Sequence, residues 1–205
     1  MSKHIANIDK NNTLIILDWD DTLFPTNWAS KYRIELSTKT GKHAEHLNNL
    51  DIVLQNLLRI LLQYGKVVII TNAMPEWIKH SSNKLPQTYS IVSQLKIISA
   101  RKQYQAYSND MMDWKEMAFK REVSIHSENK NFINIISIGD AEYEYNALVS
   151  LNTWNTNKKK LLKSIKFIKN PHNITIVDQL EVLSKAVPDI VNRQSHLDLV
   201  FDSKN

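Results

Sequence analysis

The sequence predicts an α/β protein with a doubly wound parallel sheet of about five strands and helices on both faces. Short runs of apolar, mostly β-branched residues alternate along the chain with longer segments of helical periodicity, the pattern of repeated strand–helix–strand units. Several of these runs are apolar at every position, as strands buried on both faces are. The 205 residues are enough for one such domain with a substantial core, so residues 1–205 are predicted to form a single domain.

The first predicted strand is followed, after an irregular stretch, by a long helix. Leu14–Leu17 is an unbroken apolar run and predicts a buried strand. The stretch from 24 to about 42 is predicted to be irregular because it contains a proline, a glycine and many polar residues. From about 43 to 64, leucines recur at spacings of three and four, which predicts an amphipathic helix. Gly65 is predicted to end this helix as a C-cap residue.

The middle of the chain contains three more predicted strands. Val67–Ile70 is the second strand, and Pro75 opens the helix after it, at a position where proline is tolerated. The third strand is expected at Leu95–Ser99, and a helix follows from about 113 to 123. Phe132–Ile138 is the fourth predicted strand. Each of these strands precedes a helical pattern, as parallel pairing requires.

The carboxyl-terminal part adds one strand between two helices. A helix is predicted over about 142–151, a fifth strand over Ser164–Ile168 and a last helix over about 174–187. Pro188 is expected to end that helix, because proline cannot continue the hydrogen-bonding pattern. Residues 195–205 have no clear periodicity and are left as an uncertain tail.

Composition excludes several classes of function. The chain has no cysteine, which excludes disulfides, thiolate zinc sites and cysteine nucleophiles. Residues 1–12 include no apolar signal segment and are predicted to be flexible, and no segment approaches membrane-spanning length. The expectation is a cytoplasmic or other intracellular protein that is not secreted and has no membrane partner. A net charge of +5 favours anionic partners, and nucleic acid is not excluded.

Polar residues follow three of the predicted strands at the point where each strand ends. Asp18 and Asp20 come after the first strand and point the same way, because a strand has a period of two. Thr71 and Asn72 follow the second strand, and Asp140 follows the fourth. The carboxyl ends of parallel strands meet at one edge of the sheet, where ligands bind. Neighbouring carboxylates repel each other unless a cation or a shared proton intervenes, so the cluster indicates a functional site.

These residues resemble the motifs of the haloacid dehalogenase (HAD) superfamily. That superfamily has Asp-x-Asp-x-Thr after the first strand, Thr or Ser after the second, a lysine before the last motif and acidic residues after the fourth strand. The matching positions here are Asp18, Asp20, Thr22, Thr71, Lys115, Asp140 and Glu144. A local similarity extends to a group of such proteins in protists, algae and large DNA viruses. It is carried by Asp-Trp-Asp-Asp-Thr-Leu at 18–23, Thr-Asn-Ala at 71–73, Ser-Ala-Arg at 99–101 and Trp-Lys at 114–115.

The resemblance implies a Mg²⁺-dependent phosphatase that works through an aspartyl-phosphate. Asp18 would be the nucleophile, and Asp20 would be the general acid and base. The Mg²⁺ ligands would be Asp18, Asp140 and, through its main-chain carbonyl, Asp20. Phosphate binding is assigned to Thr71, Asn72 and Lys115.

The sequence leaves the roles of four further residues less defined. Lys120 is an alternative to Lys115 as the lysine of the site. Glu144 stands where the superfamily often has aspartate, and it would contact metal-bound water, orient Lys115 or lie on a solvated helix face. Thr22 is expected to stabilise the turn, and Asp21 is predicted to be a surface carboxylate.

The segments between the motifs are too short for a large cap domain, so the resemblance implies a capless member. An open site suits a large substrate that itself excludes water. The expected partner is therefore a phosphorylated substrate, with a phosphoprotein as one candidate and a nucleic-acid end as another. The alternatives are a phosphatase for small metabolites or nucleotides and a catalytically silent binding module of the same fold.

Overall fold

The computed structural model describes residues 7–32, 42–127, 132–155 and 159–202. Within these ranges the chain forms a central sheet between two layers of helices. The strands are β1 (Thr13–Leu17), β2 (Lys66–Thr71), β3 (Lys96–Ser99), β4 (Asn134–Gly139), β5 (Leu161–Lys166) and β6 (Leu197–Val200). The helices are α1 (Thr26–Lys31), α2 (Lys42–Tyr64), α3 (Pro75–Ser82), α4 (Pro86–Val92), α5 (Ala100–Tyr104), α6 (Met111–Ser127), α7 (Glu142–Thr153) and α8 (Asn173–Asn192).

The sheet is parallel throughout, with strand order β3-β2-β1-β4-β5-β6. Leu17, the last residue of β1, is in register with Ile69 of β2 and Ile138 of β4, so these three strands end at nearly the same level. From β1 the chain builds outward to β3 on one side and then returns to build β4, β5 and β6 on the other. The carboxyl ends of β1 and β4 therefore flank the switch point at which such sheets bind ligands. The predicted fold class is confirmed.

Alternate residues of β1 enter two different cores, as the period of a strand requires. Ile15 and Leu17 pack in the layer that contains α2 and α8. Leu14 and Ile16 pack on the opposite face, in the layer that contains α6 and α7. Because both faces of the central strands are covered, their sequences are apolar at successive positions.

Two loop regions contain more helix than the sequence predicts. The stretch from 24 to 42 was expected to be irregular, but it includes the six-residue α1, which is too short for its periodicity to be recognised. Residues 33–41 lie outside the described part of the chain. Between β2 and α6 there are three helices where one was expected. In the described ranges, none of these elements forms a separate cap domain.

Two predictions about helix ends are corrected: the cause assigned to Gly65 is wrong, and the end assigned to Pro188 is wrong. Gly65 does follow α2, but it does not have the positive φ of a glycine C-cap. A Cβ at this position would lie 2.8 Å from the carbonyl oxygen of Thr13, so glycine is needed for close packing against β1. Pro188 does not end α8, which continues to Asn192. The residues after it, Ile190 and Val191, are buried in the core, and this packing offsets the hydrogen bond lost at proline.

Both ends of the described part of the chain contain more ordered structure than the sequence predicts. Residues 197–200 of the uncertain tail form β6, a sixth strand that pairs in parallel with β5. The strand is short, mostly exposed and contains an aspartate, which are ordinary features of an edge strand and give a weak sequence signal. At the other end, the Asp9 carboxylate accepts hydrogen bonds from the amides of Asn11 and Asn12 in the turn before β1. No helix in the described ranges is long and apolar enough to cross a membrane.

Candidate active site

The residues predicted to form the site lie together in one cavity of about 330 Å³ at the carboxyl edge of the sheet. The cavity lies where β1, β2 and β4 end, as the parallel topology requires. The predicted residues that line it are Asp18, Asp20, Thr71, Asn72, Lys115, Asp140 and Glu144. They are separated by more than a hundred positions in the sequence, and the crossover connections bring them together.

Asp18 is held at the bottom of this cavity by the backbone of β4 and by a lysine. Its amide donates a hydrogen bond to the carbonyl of Ile138 at 2.9 Å, which extends the β1–β4 pairing by one residue. Its side chain is buried, and Oδ1 accepts a hydrogen bond from Lys115 Nζ at 2.6 Å. This contact uses one carboxylate oxygen and leaves Oδ2 for another partner.

Lys115, and not Lys120, is the α6 lysine that lines the cavity, and its ammonium group is fully engaged. Nζ donates to Asp18, to Glu144 Oε1 at 2.6 Å and to the carbonyl of Ile70 at 2.7 Å, which uses all three of its donors. Burial lowers the pKa of Lys115, but the two carboxylates outweigh burial and hold it above its ordinary value. The alternative, Lys120, pairs instead with Glu116 one turn earlier on α6 and does not line the cavity.

Glu144 orients Lys115, which is one of the three roles left open by the sequence. Its Oε1 binds Lys115, while Oε2 accepts a hydrogen bond from the amide of Ala141 at 3.2 Å and so caps the start of α7. Burial raises the pKa of Glu144, and the ammonium of Lys115 opposes this shift. Gly139 is required next to it, because a Cβ at this position would lie 2.3 Å from Glu144 Cγ.

Asp20 is half-buried and receives two hydrogen bonds on the same oxygen. Trp77 Nε1 donates to its Oδ1 at 2.7 Å, and the hydroxyl of Thr26 donates to that atom as well. Burial raises the pKa of Asp20, and the two hydrogen bonds only partly oppose this effect. A carboxyl group with a raised pKa holds a proton more readily near neutral pH, as a general acid must. Trp19 points away from the cavity and donates from Nε1 to Ser81 Oγ at 2.9 Å.

Asp21 is not the surface carboxylate that the sequence predicts. It is buried, its φ is 55°, and its Oδ1 accepts a hydrogen bond from the amide of Asn27 at 2.9 Å. Aspartate tolerates this left-handed conformation better than most residues, so it can occupy the tight turn after β1. Burial raises the pKa of Asp21 to about 6. The neighbouring Thr22 is also buried, and its hydroxyl lies 3.5 Å from Asp140 Oδ1.

Asp140 lies across the cavity from Asp18, and the two carboxylates repel each other. Burial raises the pKa of Asp140 to about 7, and Asp18 and Glu144 add to the increase. A divalent cation bound to Asp18 and Asp140 would relieve this repulsion.

The oxygen donors of the site fit Mg²⁺ in their chemistry. Among the described residues, no three acidic or histidine side chains are grouped so that they could hold a metal ion. The predicted set does not need three, because it combines the carboxylates of Asp18 and Asp140 with the main-chain carbonyl of Asp20. Mg²⁺ takes oxygen ligands and keeps several waters when bound by one or two carboxylates.

The residues after β2 supply hydrogen-bond donors on the opposite side of the cavity. Thr71 Oγ1 accepts from the amide of Ala73 at 3.1 Å, so its hydroxyl proton is left to donate into the cavity. Asn72 Nδ2 donates to the carbonyl of Met111 at 3.4 Å, and its Oδ1 is buried without a partner among the described residues. The main-chain amide that follows Thr71 was the predicted phosphate contact, and its residue lines the cavity.

Sequence reasoning missed several side chains that shape this cavity. Thr26 and Trp77 hold Asp20, and Lys169 and Asn170 line the cavity from the loop after β5. The loop residues had a usable signal, because they directly follow the predicted fifth strand at the same edge of the sheet. Thr26 and Trp77 had none, since both belong to helices whose packing angle sequence periodicity does not define.

No protein-family model, no curated protein and no solved structure matches this chain. The function is therefore inferred from the chemistry of the cavity.

Proposed function

We propose that this protein is a Mg²⁺-dependent phosphatase of the HAD type that hydrolyses a phosphomonoester through an aspartyl-phosphate. One observation carries the proposal: Asp18, held by Lys115 at 2.6 Å, shares a cavity with a second carboxyl group, Asp20, whose pKa is raised. A carboxylate nucleophile and a neighbouring group that can hold a proton are what two-step phosphate transfer needs.

In the first step, Asp18 Oδ2 attacks the phosphorus atom in line with the leaving oxygen. The O–P bond to Asp18 forms while the P–O bond to the leaving group breaks, and Asp20 donates a proton to the departing oxygen. The hydroxyl of Thr71 donates to a phosphoryl oxygen, and the positive charge of Lys115, whose N–H donors stay on protein groups, offsets the phosphoryl charge through space. Bound Mg²⁺ would neutralise the negative charge that otherwise keeps a phosphate away from Asp18 and Asp140.

In the second step, water attacks the phosphorus of the aspartyl-phosphate. Asp20, now ionised, takes a proton from that water, and the bond between phosphorus and Asp18 breaks to release inorganic phosphate. Each residue returns to its starting protonation state, so the cycle balances. Lys115 keeps its contact with Glu144 throughout, which prevents the ammonium from following the phosphate out of the cavity.

The open mouth of the cavity favours a large substrate. Without a cap domain in the described ranges, water must be excluded by the substrate itself. A phosphorylated protein segment meets this requirement better than a small metabolite does. The positive net charge of the chain, +5, also favours an anionic partner.

Release of inorganic phosphate from an aryl phosphate tests the proposal. Wild type is expected to be active in Mg²⁺ and to lose activity in EDTA, and Asp18→Asn is expected to lower kcat at least ~10³-fold. Asp198→Asn is the matched control, because it removes the same charge from an exposed position on β6 that lines a different cavity. Equal inactivity of wild type and Asp18→Asn in Mg²⁺ would favour a silent binding module instead.

A further inference from the structure

A second, larger cavity of about 740 Å³ lies at the same edge of the sheet as the candidate active site. We name it the β5–β6 cavity, because its walls are the residues that follow β5, the residues that follow β6 and one face of α8. Ile168 comes from the first of these, Phe201 and Asp202 from the second, and Gln179 and Val182 from the third. Its position beside the phosphate site makes it available to the same substrate.

One asparagine separates the two cavities. Asn170 lines both of them. It has a φ of 52°, and its Oδ1 accepts a hydrogen bond from Asn27 Nδ2 at 2.6 Å. The amide of Asn27 in turn binds Asp21 in the active-site turn. The two cavities therefore adjoin at Asn170, next to its partner Asn27.

Gln179 forms part of the wall of the β5–β6 cavity. Its Oε1 accepts from the amide of Ile168 at 2.7 Å, which fixes the orientation of the side-chain amide. This hydrogen bond ties α8 to the residues that follow β5 and so holds two walls of the cavity together.

The charge of the cavity decides which macromolecule fits. Two carboxylates, Asp178 and Asp202, are part of its lining, and no Lys or Arg is among the described residues that line it. A second phosphate would be repelled there, which argues against nucleic acid, whose phosphates repeat along the chain. Val182 and Phe201 add apolar surface. The cavity thus suits a positively charged and partly apolar partner.

We propose that the β5–β6 cavity binds the peptide segment next to the phosphorylated residue of a protein substrate. A basic side chain lies against Asp178 and Asp202, and an apolar side chain packs on Phe201 and Val182. The effect on catalysis rests on the phosphatase function proposed above, whereas binding of the peptide does not.

The experiment compares two phosphoserine peptides that differ only in one flanking residue. One has Arg and Leu within three residues of the phosphoserine, and the other has Glu in place of Arg. Wild type is expected to favour the Arg peptide at least ~10-fold in kcat/KM, which corresponds to about 1.4 kcal/mol. The double variant Asp178→Asn/Asp202→Asn should reduce this preference to within about threefold, and Asp198→Asn should retain it.

A second pair of variants tests whether a bulky side chain placed in the cavity blocks binding of the peptide. Val182→Arg places a large cation on its wall, and Val149→Arg makes the same change on α7, where it lines a different cavity. Both valines are about half exposed, so both variants are expected to fold. Val182→Arg should lower kcat/KM for the Arg peptide at least ~10-fold and leave hydrolysis of a small aryl phosphate within about twofold. Val149→Arg should change neither.

Two outcomes overturn the proposal: equal kcat/KM for the two peptides in wild type, or parallel losses on the peptide and the aryl phosphate in Val182→Arg. If wild type releases phosphate from no substrate, the proposed phosphatase function is wrong. Fluorescence anisotropy of the labelled Arg peptide then tests directly whether the β5–β6 cavity binds the peptide. Binding that is lost in Val182→Arg and kept in Val149→Arg supports the β5–β6 cavity. Binding that is absent, or equal in both variants, refutes it.

Discussion

The two ends of the sheet each contain a fully buried lysine, and the two lysines have different partners. At the carboxyl end, Lys115 donates to two carboxylates and one carbonyl. At the amino end, Lys163 of β5 donates to the carbonyls of Ile190 and Val191, each at 2.8 Å, at the end of α8. Asn134 adds a further hydrogen bond to the carbonyl of Val191. The acceptors of Lys163 are thus neutral, although the amino end also contains a buried carboxylate, Glu122, which pairs with Lys66 and Lys96.

This difference separates a structural buried charge from one suited to catalysis. Helix-end carbonyls need donors in any fold, so Lys163 satisfies groups that would otherwise be unpaired. The carboxyl end instead concentrates acidic groups around one ammonium and leaves several of their pKa values raised, at Asp20, Asp21, Asp140 and Glu144. Burial is the main cause of these shifts and the neighbouring like charges add to it, and both effects lower stability, as is typical of functional sites.

Lys115→Met should give the largest effect, because it leaves Asp18 and Glu144 buried without their cation. Activity is expected to fall at least ~10³-fold. The free energy of unfolding should decrease by about 3–5 kcal/mol, as in other broken buried pairs. Phosphate release and urea unfolding measure the two quantities. Lys120→Met is the matched control, since its ion pair with Glu116 is partly exposed and contributes at most about 1 kcal/mol. If both variants lose the same activity and the same stability, Lys115 has no special role in the site.

Asp140→Asn should lower activity about 10²-fold and change the response to Mg²⁺. In wild type, Mg²⁺ is expected to raise Tm, because a ligand that binds only the folded state stabilises it. The variant should have a higher Tm than wild type in EDTA, since a neutral amide removes the repulsion with Asp18. It should gain little from Mg²⁺. Thermal unfolding at neutral pH with EDTA or Mg²⁺ distinguishes these cases, and an equal Mg²⁺ response in both proteins would contradict the assigned ligand.

Lys163→Met should affect stability and leave activity within about twofold. The substitution leaves the carbonyl of Ile190 without its donor, at a cost of about 1–3 kcal/mol. Urea unfolding and phosphate release measure the two effects separately. A loss of activity comparable to that of Lys115→Met would show that the amino end of the sheet also contributes to the site.

The sequence was informative about the carboxyl end because strand topology alone brings its residues together. Asp18, Thr71 and Asp140 follow buried strands, and parallel pairing places them at one edge regardless of their separation in sequence. Lys115 was less certain, because the side of a helix that faces the sheet depends on packing. Its choice over Lys120 follows only from the observed contact with Asp18.

The features that sequence could not predict depend on tertiary contacts. Burial of Asp21 requires the turn geometry after β1, and nothing in the sequence distinguishes an acidic residue directly after a predicted site aspartate as buried. Gly65 matches a helix-ending pattern, while its actual role depends on the approach of Thr13. Continuation of α8 past Pro188 depends on the burial of Ile190 and Val191. Local propensity is overridden in each case by packing.

The last prediction concerns how the contribution of Lys163 to the free energy of unfolding changes with pH. Burial lowers the pKa of Lys163 to about 8, and Arg193 adds to the shift. Between pH 8 and the ordinary lysine value of 10.5, the unfolded chain binds this proton and the folded chain does not, so the contribution of Lys163 to stability rises with pH. A neutral amine retains two N–H donors, which are enough for the carbonyls of Ile190 and Val191.

The difference in unfolding free energy between wild type and Lys163→Met should therefore grow from pH 7.5 to about pH 10, with a slope of at most about 1.4 kcal/mol per pH unit. Subtracting the variant removes the contributions of other groups that titrate in this range. A difference that shrinks with pH would mean that the ammonium form is the better donor to the end of α8. In that case the helix-end carbonyls would stabilise charge as effectively as the carboxylates at Lys115, and the contrast between the two ends of the sheet would disappear.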